Sequence, residues 1–293
     1  MNTSLISNPE ILGLFDQYVH GRINRRQFLD RVAGISVTGL SATAVLEMLS
    51  PDYARAQQVS PENESIEVGY RYYDSPAGGG EMKGYLAVPA NAEQKLPGVV
   101  VIHENRGLNP YIEDVARRVA VAGFVAFAPD ALTPLGGYPG NDDDGRTLQQ
   151  QRDRDAMLND FIAAVSFVQK LEACTGKVGC VGFCFGGWMA NALAVHVADL
   201  AAAVPFYGGQ PDAADVPKIE APLLLHYAEL DERVNAGWPA YRDALDKARK
   251  RYRQYTYANC NHGFHNDTTP RYDSAAAELA WHRTIEFFRQ YLV

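Results

Sequence analysis

The sequence predicts an α/β fold, a mainly parallel central sheet with helices on both faces, preceded by an N-terminal helical extension. Three observations carry that expectation. From about residue 65 onward, short β-rich runs alternate with longer helical patterns, as in successive βαβ units. Leu96-Pro97-Gly98-Val99-Val100-Val101-Ile102-His103 is a continuous apolar run, as expected of a parallel strand buried on both faces. A chain of 293 residues with 47% hydrophobic and 21% charged residues can build a large core.

Residues 1–60 differ in character from 61–293, which read as one domain. Asn8-Pro9-Glu10 predicts a short helix with Asn as N-cap and Pro at its first position, ended by Gly21. Asn24-Arg25-Arg26-Gln27-Phe28-Leu29 then resembles a twin-arginine export signal. Val32 to Leu46 is uncharged and rich in small residues, too short and mild for a membrane span but suited to a signal h-region. Ala54-Arg55-Ala56 offers a small-x-small site for cleavage after Ala56. This reading expects a periplasmic protein. The alternative is a cytoplasmic one whose extension is retained, burying Ile11, Leu14, Phe28 and Leu29 against the main domain.

In the main domain, Ile66–Tyr73 and Met82–Val88 read as a hairpin across the turn at Pro76–Gly80. After the apolar run, Asn109-Pro110 opens a helix with Ile112, Val115 and Val119 on its apolar stripe, and Gly123 stops it. Phe124–Phe127 follows as a strand. Asp142-Asp143-Asp144 reads as a solvated loop, and one long helix is expected from about Leu148 to Leu171. The remaining strands are expected at Val178–Phe183, Ala201–Tyr207, Pro222–Tyr227 and Tyr252–Tyr257. Between and after them, helices are expected at Gly186–Val197, Trp238–Arg249 and Ala275–Leu292.

Composition narrows the function. Lys and Arg number 27 against 35 Asp and Glu, a net charge of −8, which argues against nucleic acid as the main partner. No uncharged apolar run is long enough for a stable membrane span. The four cysteines are too few for a disulfide scaffold, and none forms a C-x-x-C pair that would suggest structural zinc.

The most informative stretch is Gly182-Phe183-Cys184-Phe185-Gly186-Gly187, placed between an expected strand and an expected helix. That is the context of the G-x-nucleophile-x-G elbow of α/β-hydrolases, where a strained turn needs small neighbours. The turn sets the thiol of Cys184 at a helix N-terminus, which favours thiolate, and gives Phe185 N–H to an oxyanion. Cys174, Cys180 and Cys260 lack such a setting and read as buried packing residues. A triad on this fold runs nucleophile, acid, base. Asp231, just past the strand Pro222–Tyr227, is the acid, with Glu229 and Glu232 as solvated alternatives. His262, before Gly263-Phe264, is the base, with His265 as runner-up. His103 and His226 lie on expected strands and read as hydrogen-bonded core residues.

From about residue 66 to the C-terminus the chain resembles the dienelactone hydrolase (carboxymethylenebutenolidase) family. The resemblance rests on His103-Glu104-Asn105-Arg106-Gly107-Leu108-Asn109, Ala128-Pro129-Asp130, Gly176-Lys177-Val178-Gly179, the cysteine elbow, and the loops carrying Asp231 and His262. It implies an α/β-hydrolase fold and a Cys184–Asp231–His262 triad. It also implies that Glu104 helps deprotonate the thiol and that Asn105 N–H is the second oxyanion donor. Of the two arginines that hold the substrate carboxylate in the family type, the first corresponds to Arg146. The second falls on Asn266, four residues after His262, so dienelactone itself is not the expected substrate. Arg106 could supply a replacement charge; otherwise it makes a surface salt bridge.

The expected activity is therefore hydrolysis of small carboxylic esters or lactones through an acyl-thioester, with no cofactor or metal implied. A redox or ligand-sensing protein using a reactive cysteine on a hydrolase scaffold is the alternative.

Overall fold

In the computed structural model of the chain, residues 8–35, 40–55 and 57–293 are described. The strands are β1 (Ile66–Ser75), β2 (Gly80–Pro89), β3 (Leu96–Ile102), β4 (Val125–Pro129), β5 (Cys174–Phe183), β6 (Ala202–Phe206), β7 (Leu223–Ala228) and β8 (Tyr252–Tyr257). They form one 8-stranded sheet in the order β1-β2-β4-β3-β5-β6-β7-β8. The β1–β2 hairpin pairs Ile66 with Pro89 and Ser75 with Gly80, and β2 lies antiparallel to β4. From β4 to β8 every neighbouring pair is parallel. The carboxyl ends of β3, β5, β7 and β8 therefore open on one edge, where ligands bind in parallel sheets.

The helices are α1 (Pro9–Val19), α2 (Arg25–Gly34), α3 (Ala42–Leu49), α4 (Pro110–Val121), α5 (Asp142–Gln150), α6 (Arg154–Lys170), α7 (Phe185–His196), α8 (Glu232–Asn235), α9 (Trp238–Lys247) and α10 (Ser274–Leu292). Strand side chains alternate between faces, so β3 splits its residues between two cores. Val100 and Ile102 pack with Phe161 and Val165 of α6, Leu193 of α7 and Leu245 of α9. Val99 and Val101 pack with Ile112 and Val115 of α4 and Phe287 and Phe288 of α10. All seven residues of β3 except Leu96 are buried, as the apolar run implied.

The extension has a third apolar core of its own. Ile11, Leu14, Phe15, Tyr18, Phe28, Val32, Val45 and Leu49 bury one another, with Leu29 partly covered. Its ties to the main domain are largely polar. Arg25 pairs with Asp143 at 3.0 Å, Tyr53 Oη donates to Asp142 at 2.5 Å, and Asp52 N–H donates to Thr268 at 2.7 Å. The four residues expected to bury against the main domain thus find their apolar partners inside the extension. The uncharged run from Val32 to Leu46 is divided, since α2 ends at Gly34 and α3 begins at Ala42. Residues 36–39 between them, and Ala56 of the expected cleavage site, lie outside the described residues. Among the described residues no helix is long and apolar enough to cross a membrane.

Two local expectations need correction. The single helix from Leu148 to Leu171 is two helices, because Asp153 turns out of helical geometry and caps α6 through the Ala156 N–H at 2.8 Å. Asp142, Asp143 and Asp144 are not a loop. They form the first turn of α5, capped by Asn141, where their charge complements the helix dipole.

Candidate active site

The elbow is steric in origin. β5 ends at Phe183 and α7 starts at Phe185, so Cys184 turns the chain alone, at φ 57 and ψ −110. A non-glycine residue held at positive φ costs on the order of 1–3 kcal/mol and persists only where its surroundings demand it. Here they do. A Cβ on Gly182 would run into the carbonyl of Gly186, and one on Gly186 into that of Ile102. Cys184 N–H donates to the Phe206 carbonyl at 3.1 Å, and its own carbonyl accepts from Gly187 and Trp188 at 3.0 and 3.1 Å. Phe185 is the first residue of α7, and first-turn N–H groups have no partner within the helix.

Asp231 and His262 meet the cysteine at the sheet edge. Asp231 follows β7 and caps α8 by accepting from Val234 N–H at 3.2 Å. Its other oxygen lies 2.5 Å from His262 Nδ1. His262 Nε2 is buried and makes no hydrogen bond of its own. A ring nitrogen of His262 lies within 4.8 Å of the Cys184 sulfur.

The charges reinforce one another. Burial alone would lower the His262 pKa, but the Asp231 carboxylate and the Cys184 thiolate raise it to about 10. Burial alone would raise the Cys184 pKa, yet the imidazoliums of His262 and His20 pull it well below the usual thiol range. The favoured state is a thiolate paired with imidazolium. The other cysteines go the opposite way. Burial raises Cys174 and Cys180, and lifts Cys260 to about 11.

His20 is the residue sequence reasoning missed. It caps the C-terminal end of α1, and its Nε2 lies 3.4 Å from the Cys184 sulfur. Its Nδ1 lies 3.1 Å from the Asp16 carboxylate. Arg233 Nη2 sits 3.0 Å from His20 Nε2 and 3.3 Å from His262 Nδ1. No local pattern marks His20, which is 164 residues from Cys184 in sequence.

The other expected site residues divide. Asn105, Phe185 and Arg146 line a cavity of about 520 Å³ together with Cys184, His262 and His20. Arg146 also pairs with Asp143 and lies 4.5 Å from the Tyr18 ring centroid. Arg106 is turned away from that cavity into a buried pair with Asp142 at 2.6 Å, and is 2% exposed. It is therefore neither a lining residue nor a surface salt bridge. Glu104 is buried and accepts from Asn266 Nδ2 at 2.9 Å, so the residue standing in place of the family arginine holds Glu104.

The alternative candidates lie elsewhere. His265 Nδ1 hydrogen-bonds Tyr111 Oη at 2.7 Å, and His226 Nδ1 hydrogen-bonds Tyr257 Oη at 2.9 Å. His103 Nε2 accepts from Ala131 N–H at 3.1 Å. Glu229 accepts from Asn259 N–H, and Glu232 is exposed. Among the described residues, His20, Cys184 and His262 are the cluster with metal-ligand spacing. The Arg233 guanidinium beside two of its nitrogens disfavours a cation there.

Comparison with known proteins extends this picture. A family model described as the dienelactone hydrolase family matches residues 82–292, and a second, described as YqhI-like, matches residues 7–35. The Escherichia coli K12 protein named "Putative hydrolase fragment YghX" is 59% identical over 114 residues, 39% of this chain and 97% of its own. The Saccharolobus solfataricus protein named "Putative carboxymethylenebutenolidase" is 31% identical over 257 residues, 75% of this chain and 97% of its own. A solved dienelactone hydrolase from Anabaena variabilis superposes with a TM-score of 0.60 at 20% identity, covering 78% of this chain and 100% of its own, a likeness of fold.

Proposed function

The chain belongs to the dienelactone hydrolase family, and from that premise we propose that it cleaves small carboxylic esters or lactones through Cys184 and an acyl-thioester. The observation that carries the proposal is the cysteine at positive φ, with the Asp231–His262 pair beside it and its pKa pulled down. A thiolate at a helix N-terminus is a strong nucleophile at neutral pH.

In acylation the thiolate attacks the carbonyl carbon and the oxygen becomes an oxyanion. Phe185 and Asn105 N–H groups are the donors assigned to it. The carbon–oxygen bond to the leaving group breaks, and His262 gives that oxygen its proton. In deacylation water adds to the thioester carbon and returns a proton to His262. The carbon–sulfur bond then breaks and releases the acid and the thiolate. Asp231 keeps the His262 ring oriented through both steps. Arg146, Trp188 and Phe185 on the cavity wall favour a small acyl group with polar and flat portions.

The test is a panel of chromogenic esters and lactones with intact-protein mass spectrometry. Cys184→Ala abolishes turnover while the protein stays folded, and the wild-type protein carries an acyl adduct on Cys184. Near-normal turnover by Cys184→Ala overturns the proposal. Reversible oxidation of Cys184 with no ester turnover would overturn it in favour of sensing.

A further inference from the structure

His20 is held in place on all sides. Asn105 Nδ2 donates to the carbonyl of Val19 at 2.6 Å, next to it in sequence. On its other side Gly21 turns the chain at φ 71 against Gln150, whose amide nitrogen would lie 2.8 Å from an added Cβ. Both nitrogens of the imidazole are engaged. Nδ1 lies 2.8 Å from the Asp16 carbonyl and 3.1 Å from its carboxylate, and Nε2 faces the Cys184 sulfur at 3.4 Å and Arg233 Nη2 at 3.0 Å. The Asp16 pair is one a helix C-terminus uses for itself; the contact of Nε2 with the Cys184 sulfur is what helix stability does not explain. As at His262, a carboxylate stands behind the ring, but here the Nδ1 proton goes to the Asp16 carbonyl and the Asp16 carboxylate acts as a nearby charge; the two imidazoles meet edge to face at 4.9 Å.

We propose that Asp16 and His20 form a second carboxylate–imidazole pair acting on Cys184, so that helix α1 is a catalytic component of the working enzyme. This rests on Cys184 being the nucleophile. It requires a mature chain that keeps residue 20, and so excludes cleavage after Ala56.

Opposite charges alternate around the sulfur. Three anionic groups, Asp16, Asp231 and the thiolate, face three cationic ones, His20, His262 and Arg233. Glu104, Arg106, Arg271 and Tyr207 surround them at longer range. Burial opposes a proton on His20 and so does His262, but the thiolate and Asp16 favour it and prevail. The two imidazoles then divide the work. His262 gives its proton to the leaving oxygen and regains one from water. His20 faces the sulfur and stabilises the thiolate, both before attack and when the carbon–sulfur bond breaks and the sulfur departs. No external oxidant or co-reactant is needed.

The experiment uses full-length protein carrying His20→Gln or Asp16→Asn, with folding checked by thermal unfolding. Thiolate formation is followed by ultraviolet absorbance and by iodoacetamide labelling of Cys184 across pH, and kcat and KM are measured in parallel. His20→Gln moves the thiol titration to higher pH. On the acid side kcat falls about tenfold for each pH unit of that move, with KM little changed. Asp16→Asn acts in the same direction with smaller size, and carries the test alone if His20→Gln folds poorly. Wild-type titration and turnover in folded variants overturn the proposal, as does a native enzyme whose chain begins at Gln57. If Cys184→Ala keeps its turnover, the nucleophile assignment fails whatever His20 does. If Cys184→Ala is inactive and the His20 and Asp16 variants are unchanged, only the second pair fails.

Discussion

Asp231→Asn separates charge from shape at the site. The amide is isosteric and its oxygen can still accept from Val234 N–H, so the start of α8 keeps its cap. What disappears is the negative charge 2.5 Å from His262 Nδ1 and, with the amide nitrogen on that side, the acceptor for its proton. His262 sits at about 10 against an ordinary 6.5, a preference for imidazolium of about 5 kcal/mol at roughly 1.36 kcal/mol per pKa unit. Asp231 and the Cys184 thiolate supply that preference together, Asp231 being the larger of the two. Losing a charge-assisted hydrogen bond costs about 1.5–3 kcal/mol, a loss on the order of 10- to 10²-fold in kcat/KM. The assay is hydrolysis of a chromogenic acetate ester, with the pre-steady-state burst counting active sites and thermal unfolding checking the fold. Turnover within about threefold of wild type, in a variant that unfolds like wild type, would refute the argument that His262 is held protonated by Asp231.

Two more predictions follow from the geometry. The His262 proton is lost only as pH rises through about 10, and the Cys184 thiolate only as pH falls well below the usual thiol range. Iodoacetamide should therefore label Cys184 rapidly at pH 6, where an ordinary thiol of pKa about 8.5 is only about 0.3% ionised; an ordinary thiol profile would contradict the ion pair. Gly186→Ala should destabilise the protein by about 1–3 kcal/mol, because its new methyl meets the carbonyls of Ile102 and His103. An unchanged melting temperature would show that the elbow has room to spare.

The parts of the fold that were legible in the sequence are those set by local sterics or by period. Gly182 and Gly186 mark the elbow because backbone approaches at both positions leave no room for a side chain. The run through Val99, Val100 and Val101 announces a strand covered on both faces. Asp231 and His262 could be chosen from their order along the chain, each just after a strand. At Asp142 a run of acids suggests solvent, whereas the cap from Asn141 and the pairing with Arg106 make it a helix start. Asn266 showed that a family contact was missing but not that its amide would hold Glu104. His20 and Arg233 were illegible for a different reason. Their meaning lies in long-range docking of the extension, and a lone histidine at the end of an ordinary helix carries no periodic or motif signal.

The extension has its own apolar core and grips the main domain through side chains that also line or border the reaction cavity: Asn105, Arg146 and Arg233. Docking of the extension and occupancy of the cavity are thus two equilibria sharing the same groups. Thermodynamic reciprocity then applies in both directions. Whatever free energy the docked extension lends to substrate binding, a bound acyl group must return to the docking. Where the extension is retained and its docking favours substrate binding, its amide hydrogens exchange more slowly when the site is filled than when it is empty; where the two compete, they exchange faster.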